Sequence, residues 1–198
     1  TYAVDGTPSD SVILGLGKII KGKIDLVVSG INQGSNMGED VLISGTVGAA
    51  LSAYLREFNA LAVSVDFQRV EDAYLDKTAI FASMLSRRIN SMRFPSNLFL
   101  NVNIPDTDIS AIKGIKITSL AHRSHVNTVE EGHDGENTYY TLVRDSINHS
   151  VKKQTDIWAA DQGCISITPL NLFLNGRVPR SLLENLIDGL VDEFRQLL

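Results

Sequence analysis

The chain has 198 residues, 43% of them hydrophobic, and a formal net charge of −5. That is enough apolar material for one buried core with room for an appendage. No run approaches the ~20 apolar residues of a membrane span, no signal peptide is visible, and the mildly acidic balance gives no electrostatic reason to expect a nucleic-acid polymer as partner.

In chain order, "TPSDSVILGLGKII" predicts a helix capped by Ser9 or Asp10, with Val12, Ile13, Leu16, Ile19 and Ile20 as its apolar stripe. "IDLVVSG" reads as a strand buried on both faces, because its apolar run does not alternate. "TVGAALSAYLREF" follows as a helix whose small residues suit close approach to a sheet, and "ALAVSVD" as another continuous strand. "EDAYLDKTAIFASMLSRRI" predicts an amphipathic helix, apolar at Tyr74, Ile80, Phe81, Met84, Leu85 and Ile89. "NLFLNVNIP" is a third strand, stopped by Pro105. This alternation implies a parallel sheet with helices on both faces, an α/β fold.

The order changes after Pro105. "HVNTVEEGHDGENTYYTLV" carries two β-prone arms around Asp134-Gly135, a hairpin-turn signal, and its polar faces predict an arm projecting from the core. "CISITPL" returns as a strand. Its Cys164 is the single cysteine, so no intrachain disulfide is possible, and its apolar setting predicts a buried thiol in a cytoplasmic protein. "PRSLLENLIDGLVDEFRQLL" opens with Ser181 and Glu184 in capping-box spacing and has a wide apolar stripe. Three regions result: a core over residues 1–120, an arm over 121–150, and a returning strand with a C-terminal helix over 151–198. An isolated hairpin is marginal in water, and the terminal stripe is wider than one sheet face covers. Both elements point to packing on a second subunit, in a homodimer or a tetramer of dimers.

The glycine-rich loop from Ser29 to Ser44 leaves the carboxyl end of a strand, where open α/β sheets bind ligands. The amide oxygen of Asn32 is a hard, neutral ligand suited to Mg²⁺ or Mn²⁺ beside carboxylates. Ser44 is the natural N-cap of the next helix, and the N–H groups of Gly45, Thr46 and Val47 form an anion site. A cation ligand and a phosphate cradle on one loop suggest a metal-dependent phosphoester enzyme; the alternative is a loop that only turns the chain. No Lys gives a Walker loop, and glycines at 30, 34 and 38 do not give G-x-G-x-x-G, although Asp66 at the end of the next strand keeps a dinucleotide reading open.

The stretch "DLVVSGINQGSNMGEDVLISGTVGAA" resembles the SurE family of survival-protein nucleotidases, and "DGTPSDSV", "LFLNVNIP" and "TDIWAADQGCISITPL" agree with it in order. The resemblance implies a Rossmann-like three-layer α/β/α core and a domain-swapped dimer or tetramer. It also implies a phosphomonoesterase acting on nucleoside 5′- and 3′-monophosphates, and sometimes on short polyphosphate, with one divalent metal ion per subunit. It places Asn32 as metal ligand and Ser44, Gly45 and Thr46 beside the phosphate, with Asn36, the loop's second asparagine, expected among the phosphate-binding residues. The family opens with a strand ending in Asn-Asp-Asp-Gly, whose aspartates bind the metal, and a serine ligand follows; none of these is in this chain, which begins with Thr. The catalytic acids are therefore expected upstream of Thr1. The alternatives are a nucleotide-binding protein without chemistry, or a fragment that only oligomerises.

The four histidines, His122, His125, His133 and His149, lie in or near the arm, and "HRSH" puts its rings on opposite faces of a strand, so a solvated arm or subunit contacts are expected there rather than a metal site. Arg123 is read as an exposed arginine, although it could meet a substrate across a subunit boundary. Asp156 and Asp161 are read as structural.

Overall fold

The computed structural model describes residues 1–65, 72–92, 97–105, 107, 109–122, 126–135, 137–145 and 151–171. Strands β1 (Leu26–Gln33), β2 (Asn59–Val65), β3 (Phe99–Ile104) and β4 (Ile115–Ile117) belong to one sheet, β5 (Val126–Asp134) and β6 (Asn137–Asp145) to another, and β7 (Ile165–Pro169) returns to the first. The five-stranded sheet runs in the order β1-β2-β3-β7-β4. The first three strands are parallel to one another, as the alternation of helix and strand predicts. The last strand corrects the all-parallel expectation: β7 pairs antiparallel to β3, with Asn103 opposite Ser166 and Leu100 opposite Pro169.

Helices cover both faces. On one face α1 (Pro8–Leu14) packs on α2 (Gly45–Tyr54), and Val47, Ala50 and Ala53 of α2 meet Ala60, Ala62 and Phe99 of the sheet. Alanine at these positions lets the helix lie close to the strands. On the other face α3 (Asp72–Ser91) sets Ala82 and Ile89 against Leu61 and Val63. The strict alternation of β2 between these two clusters is why its sequence is apolar at nearly every position. A short α4 (Asp156–Asp161) precedes β7. No described helix is long and apolar enough to cross a membrane.

Several expectations need correction. The cap of α1 is neither Ser9 nor Asp10 but Thr7: its hydroxyl accepts from the Asp10 N–H at 3.2 Å, while the Asp10 carboxylate accepts from the Thr7 N–H at 2.8 Å. That helix ends in a π-helical turn, Gly15–Ile19. β1 is not buried on both faces; among the described residues it is an edge strand, and Val28 is 45% exposed. In α3, Ile80 and Met84 are 61% and 55% exposed, while Thr78 is buried. β4 and α4 have no counterpart in the sequence reading. The hairpin turns at Asp134-Gly135, where Gly135 has φ +62°, and its arms pair without a break from Val126–Asp145 to Asp134–Asn137. It forms its own two-stranded sheet, with Val129, Tyr139 and Tyr140 exposed. The helix expected over residues 181–198 lies outside the described residues, as do Asp66, Arg123, His125 and His149.

Candidate functional site

The site begins with an irregularity in β1. Ser29 pairs with Ala62, yet Asn32 pairs with Ser64, so β1 spends one more residue than β2 across this step. Such a bulge reverses the facing of everything after it. Without it Asn32 would oppose Val65; with it, Asn32 joins Ser64 on the α2 face. Gly30 makes the bulge possible. Its φ is +127°, and a Cβ there would collide with the carbonyl oxygen of Val63.

The Asn32 side chain is then fixed at both ends. Its Nδ2 donates to the Gly34 carbonyl at 2.6 Å, and its Oδ1 accepts from the Thr46 hydroxyl at 3.2 Å. The first bond decides which end of the amide is nitrogen. The chain continues through a 3₁₀ turn at Gly38–Leu42 to Ser44, which caps α2 by accepting from the Val47 N–H at 3.2 Å. Asn32, Ser44, Gly45 and Thr46 are thus gathered at the carboxyl end of β1 and the amino end of α2, where unpaired first-turn N–H groups and the helix dipole favour an anion. Gly45 leaves little room for a side chain, because the Pro8 ring of α1 would lie 3.3 Å from a Cβ there.

Asn36 stands apart from this group. It is buried beneath the loop, and its Nδ2 donates to the Ser64 hydroxyl at 2.8 Å. Its main chain is held from the sheet: the N–H donates to Asn103 Oδ1 at 2.8 Å, and the carbonyl accepts from Asn101 Nδ2 at 2.8 Å and Asn103 Nδ2 at 3.0 Å. Further on, the Gly38 N–H donates to Asp156 Oδ2 at 2.8 Å. Asp156 therefore anchors the loop, and its structural reading is sharpened. Sequence reasoning passed over Asn101, Asn103 and Ser64. Their signal was available: polar residues two apart in an otherwise apolar strand share one face.

The donor set limits what metal this chain can hold unaided. The amide oxygen of Asn32 suits one coordination position of Mg²⁺ or Mn²⁺, but hard cations take several oxygens, carboxylates among them. Among the described residues there is no group of three His, Cys, Asp or Glu side chains that could hold a metal ion. His122 is exposed; His133 is also exposed and contacts Glu131 at 3.3 Å and Thr138 at 3.2 Å within the hairpin.

Fold and site together define an α/β protein of the Rossmann-like kind, with the amino end of α2 next to an oriented amide. Comparison with known proteins makes this specific. The family described as "Survival protein SurE" matches residues 1–127. A protein of Dehalococcoides mccartyi named "5′-nucleotidase SurE" is 51% identical over 170 residues, covering 86% of this chain and 64% of the relative. A protein of the same name from another strain of that species is 44% identical over 196 residues, covering 99% of this chain and 74% of its own length. The crystal structure of the SurE protein from Aquifex aeolicus superposes with a TM-score of 0.71 at 32% identity, covering 92% of this chain and 73% of that one. The chain belongs to the SurE family.

Proposed function

We propose that the protein is a metal-dependent phosphomonoesterase that hydrolyses nucleoside 5′- and 3′-monophosphates and also short polyphosphate. The activity is carried over from relatives named 5′-nucleotidase. The observation that supports it in this chain is the 3.2 Å contact between the Asn32 amide and the Thr46 hydroxyl at the amino end of α2. In this reading the Gly45 and Thr46 N–H groups bind the phosphoryl oxygens and hold the charge that grows on them in the transition state. Ser44 keeps that terminus open by satisfying the Val47 N–H itself. The Thr46 hydroxyl and the Gly34 carbonyl orient the Asn32 amide so that its oxygen can serve as one ligand of a single Mg²⁺ or Mn²⁺ per subunit. When bound, such an ion supplies Lewis-acid charge and a more acidic water. The family resemblance supplies its carboxylate ligands from an Asn-Asp-Asp-Gly motif, and no group of three His, Cys, Asp or Glu side chains among the described residues takes that part.

Phosphate release by the full-length protein from 5′-AMP, 3′-AMP and tripolyphosphate tests the proposal, with Mn²⁺, with Mg²⁺ and with EDTA. Release that EDTA leaves unchanged would sink the metal mechanism. The second reading is a protein that holds a nucleotide without chemistry, which the single neutral metal ligand favours. Stoichiometric AMP binding without turnover would establish it. We also propose a homodimer or tetramer, on the strength of the apolar stripe in residues 181–198; sedimentation as a single species of monomer mass would refute it.

A further inference from the structure

We propose that Asn103 is a positioning residue for the loop between β1 and α2, acting through the main-chain N–H and carbonyl of Asn36; the proposal rests on the phosphomonoesterase reading. Asn103 is 1% exposed near the carboxyl end of β3, flanked in register by Ser64 of β2 and Ser166 of β7. Its side-chain amide accepts from the Asn36 N–H at 2.8 Å and donates to the Asn36 carbonyl at 3.0 Å. These are the two bonds that a neighbouring strand would offer the main chain of one residue. Asn101 adds a second donor to the same carbonyl at 2.8 Å, so both of its lone pairs are used.

The loop residue is therefore docked on the sheet, between Asn32 on one side and Ser44 on the other. Only an amide both donates and accepts in this geometry. An aspartate retains the acceptor but sets a negative oxygen against the Asn36 carbonyl. An apolar side chain orphans both main-chain groups in a buried setting. The surroundings indicate that this polarity serves placement more than stability. Asn101 Oδ1 and Ser166 Oγ, both buried beside the clamp, have no hydrogen-bond partner among the described residues. A core selected for stability alone would replace such groups with apolar ones.

The test uses the full-length protein with Asn103→Asp and, as a control of comparable size on the opposite face, Ile89→Val. Far-UV circular dichroism and cooperative unfolding establish that each variant is folded. If Asn103→Asp does not fold, the smaller, uncharged Asn103→Ser takes its place with the same measurements. Misplacing the loop by about 1 Å lowers kcat for 5′-AMP by about 100-fold, with KM changed only a few-fold. In hydrogen exchange, amides in peptides covering residues 34–44 exchange about tenfold faster than in the unsubstituted protein, while those of α3 do not change. Ile89→Val changes neither. Exchange at 34–44 that matches the unsubstituted protein overturns the proposal, and so does faster exchange spread equally over the whole chain. If the unsubstituted protein releases no phosphate, the phosphomonoesterase reading fails, and the exchange pattern still decides whether Asn103 holds the loop.

Discussion

Replacing Asp156 by Asn tests how firmly the loop is tied to the rest of the fold. The Asp156 side chain is fully buried at the start of α4. Its Oδ2 accepts from the Gly38 N–H at 2.8 Å, and its Oδ1 accepts from the Ala121 and Ile157 N–H groups, both at 2.9 Å. One carboxylate thus joins the β1–α2 loop, the segment that leads into the hairpin, and α4. An amide can keep Oδ1 on Ala121 and Ile157, but its Nδ2 then faces the Gly38 N–H, donor against donor. The loss is one charge-assisted hydrogen bond, and a buried N–H is left without a partner, together about 3 kcal/mol. With a urea slope of about 2 kcal/mol/M for a chain of this size, 3/2 gives a midpoint lowered by about 1.5 M. Asp156→Ala removes both acceptor oxygens and all three hydrogen bonds and costs about 5 kcal/mol, comparable to the whole stability of a small domain, so that variant is expected to be largely unfolded. Urea titration followed by far-UV circular dichroism at one fixed protein concentration measures both. A midpoint for Asp156→Asn within about 0.3 M of the unsubstituted protein would show that the carboxylate is not the anchor its geometry describes.

Asn32→Ala should lower phosphate release by at least about 100-fold, since even the groups behind metal ligands are worth 10–100-fold; normal activity at limiting Mn²⁺ would refute the ligand assignment. Thr46→Val should raise KM for 5′-AMP only several-fold, because the main-chain donors of α2 remain and a neutral hydrogen bond is worth about 1 kcal/mol; an unchanged KM would remove Thr46 from the site. Gly30→Ala should destabilise by about 3 kcal/mol, through backbone strain at positive φ and collision with Val63, and thermal unfolding would reveal it. Thr7→Ala should show a pH dependence of known sign. The Thr7 hydroxyl, and next its N–H, hold the Asp10 carboxyl below its ordinary value of 3.8. A depressed folded pKa means that the unfolded state binds more protons, so the stabilisation is present above that value and lost as pH falls through the folded one. The difference in Tm between Thr7→Ala and the unsubstituted protein should therefore narrow on acidification below pH 3.8; a constant difference would count against the capping box.

Much of the fold could be read because its elements carry redundant signals. β2 is apolar from Ala60 to Val63 because both of its faces are covered, and α2 is rich in alanine because it lies on β2. The Asp134-Gly135 turn needed a residue at positive φ, and Gly135 supplies it. Other features left weaker traces. The six residues of α4 are too few to show a helical period. The direction of β7 follows from the path of the chain, and the pattern of a short buried strand is the same read either way. The Thr7 cap was readable: Pro8 favours the first helical position, which makes Thr7 the residue before it.

The candidate site divides in the same manner. Asn32, Ser44 and Thr46 were legible as residue types in a loop after a strand, and the structure brings them together. The device that brings them together was not legible, because a bulge changes neither composition nor hydrophobicity. Read as a straight strand, β1 sends Asn32 to the wrong face of the sheet. The bulge instead completes a polar row: Asn32 pairs with Ser64, Ser64 with Asn103, and Asn103 with Ser166, across four strands on one face. A row of polar side chains in the middle of an apolar sheet is costly unless something polar lies over it. Here the main chain of the loop lies over it, hydrogen-bonded to Asn101 and Asn103 through Asn36. The polar breaks in "LAVSVD" and "FLNVNIP" therefore mark where the loop is seated, and they carry as much of the site as the loop's own residues do.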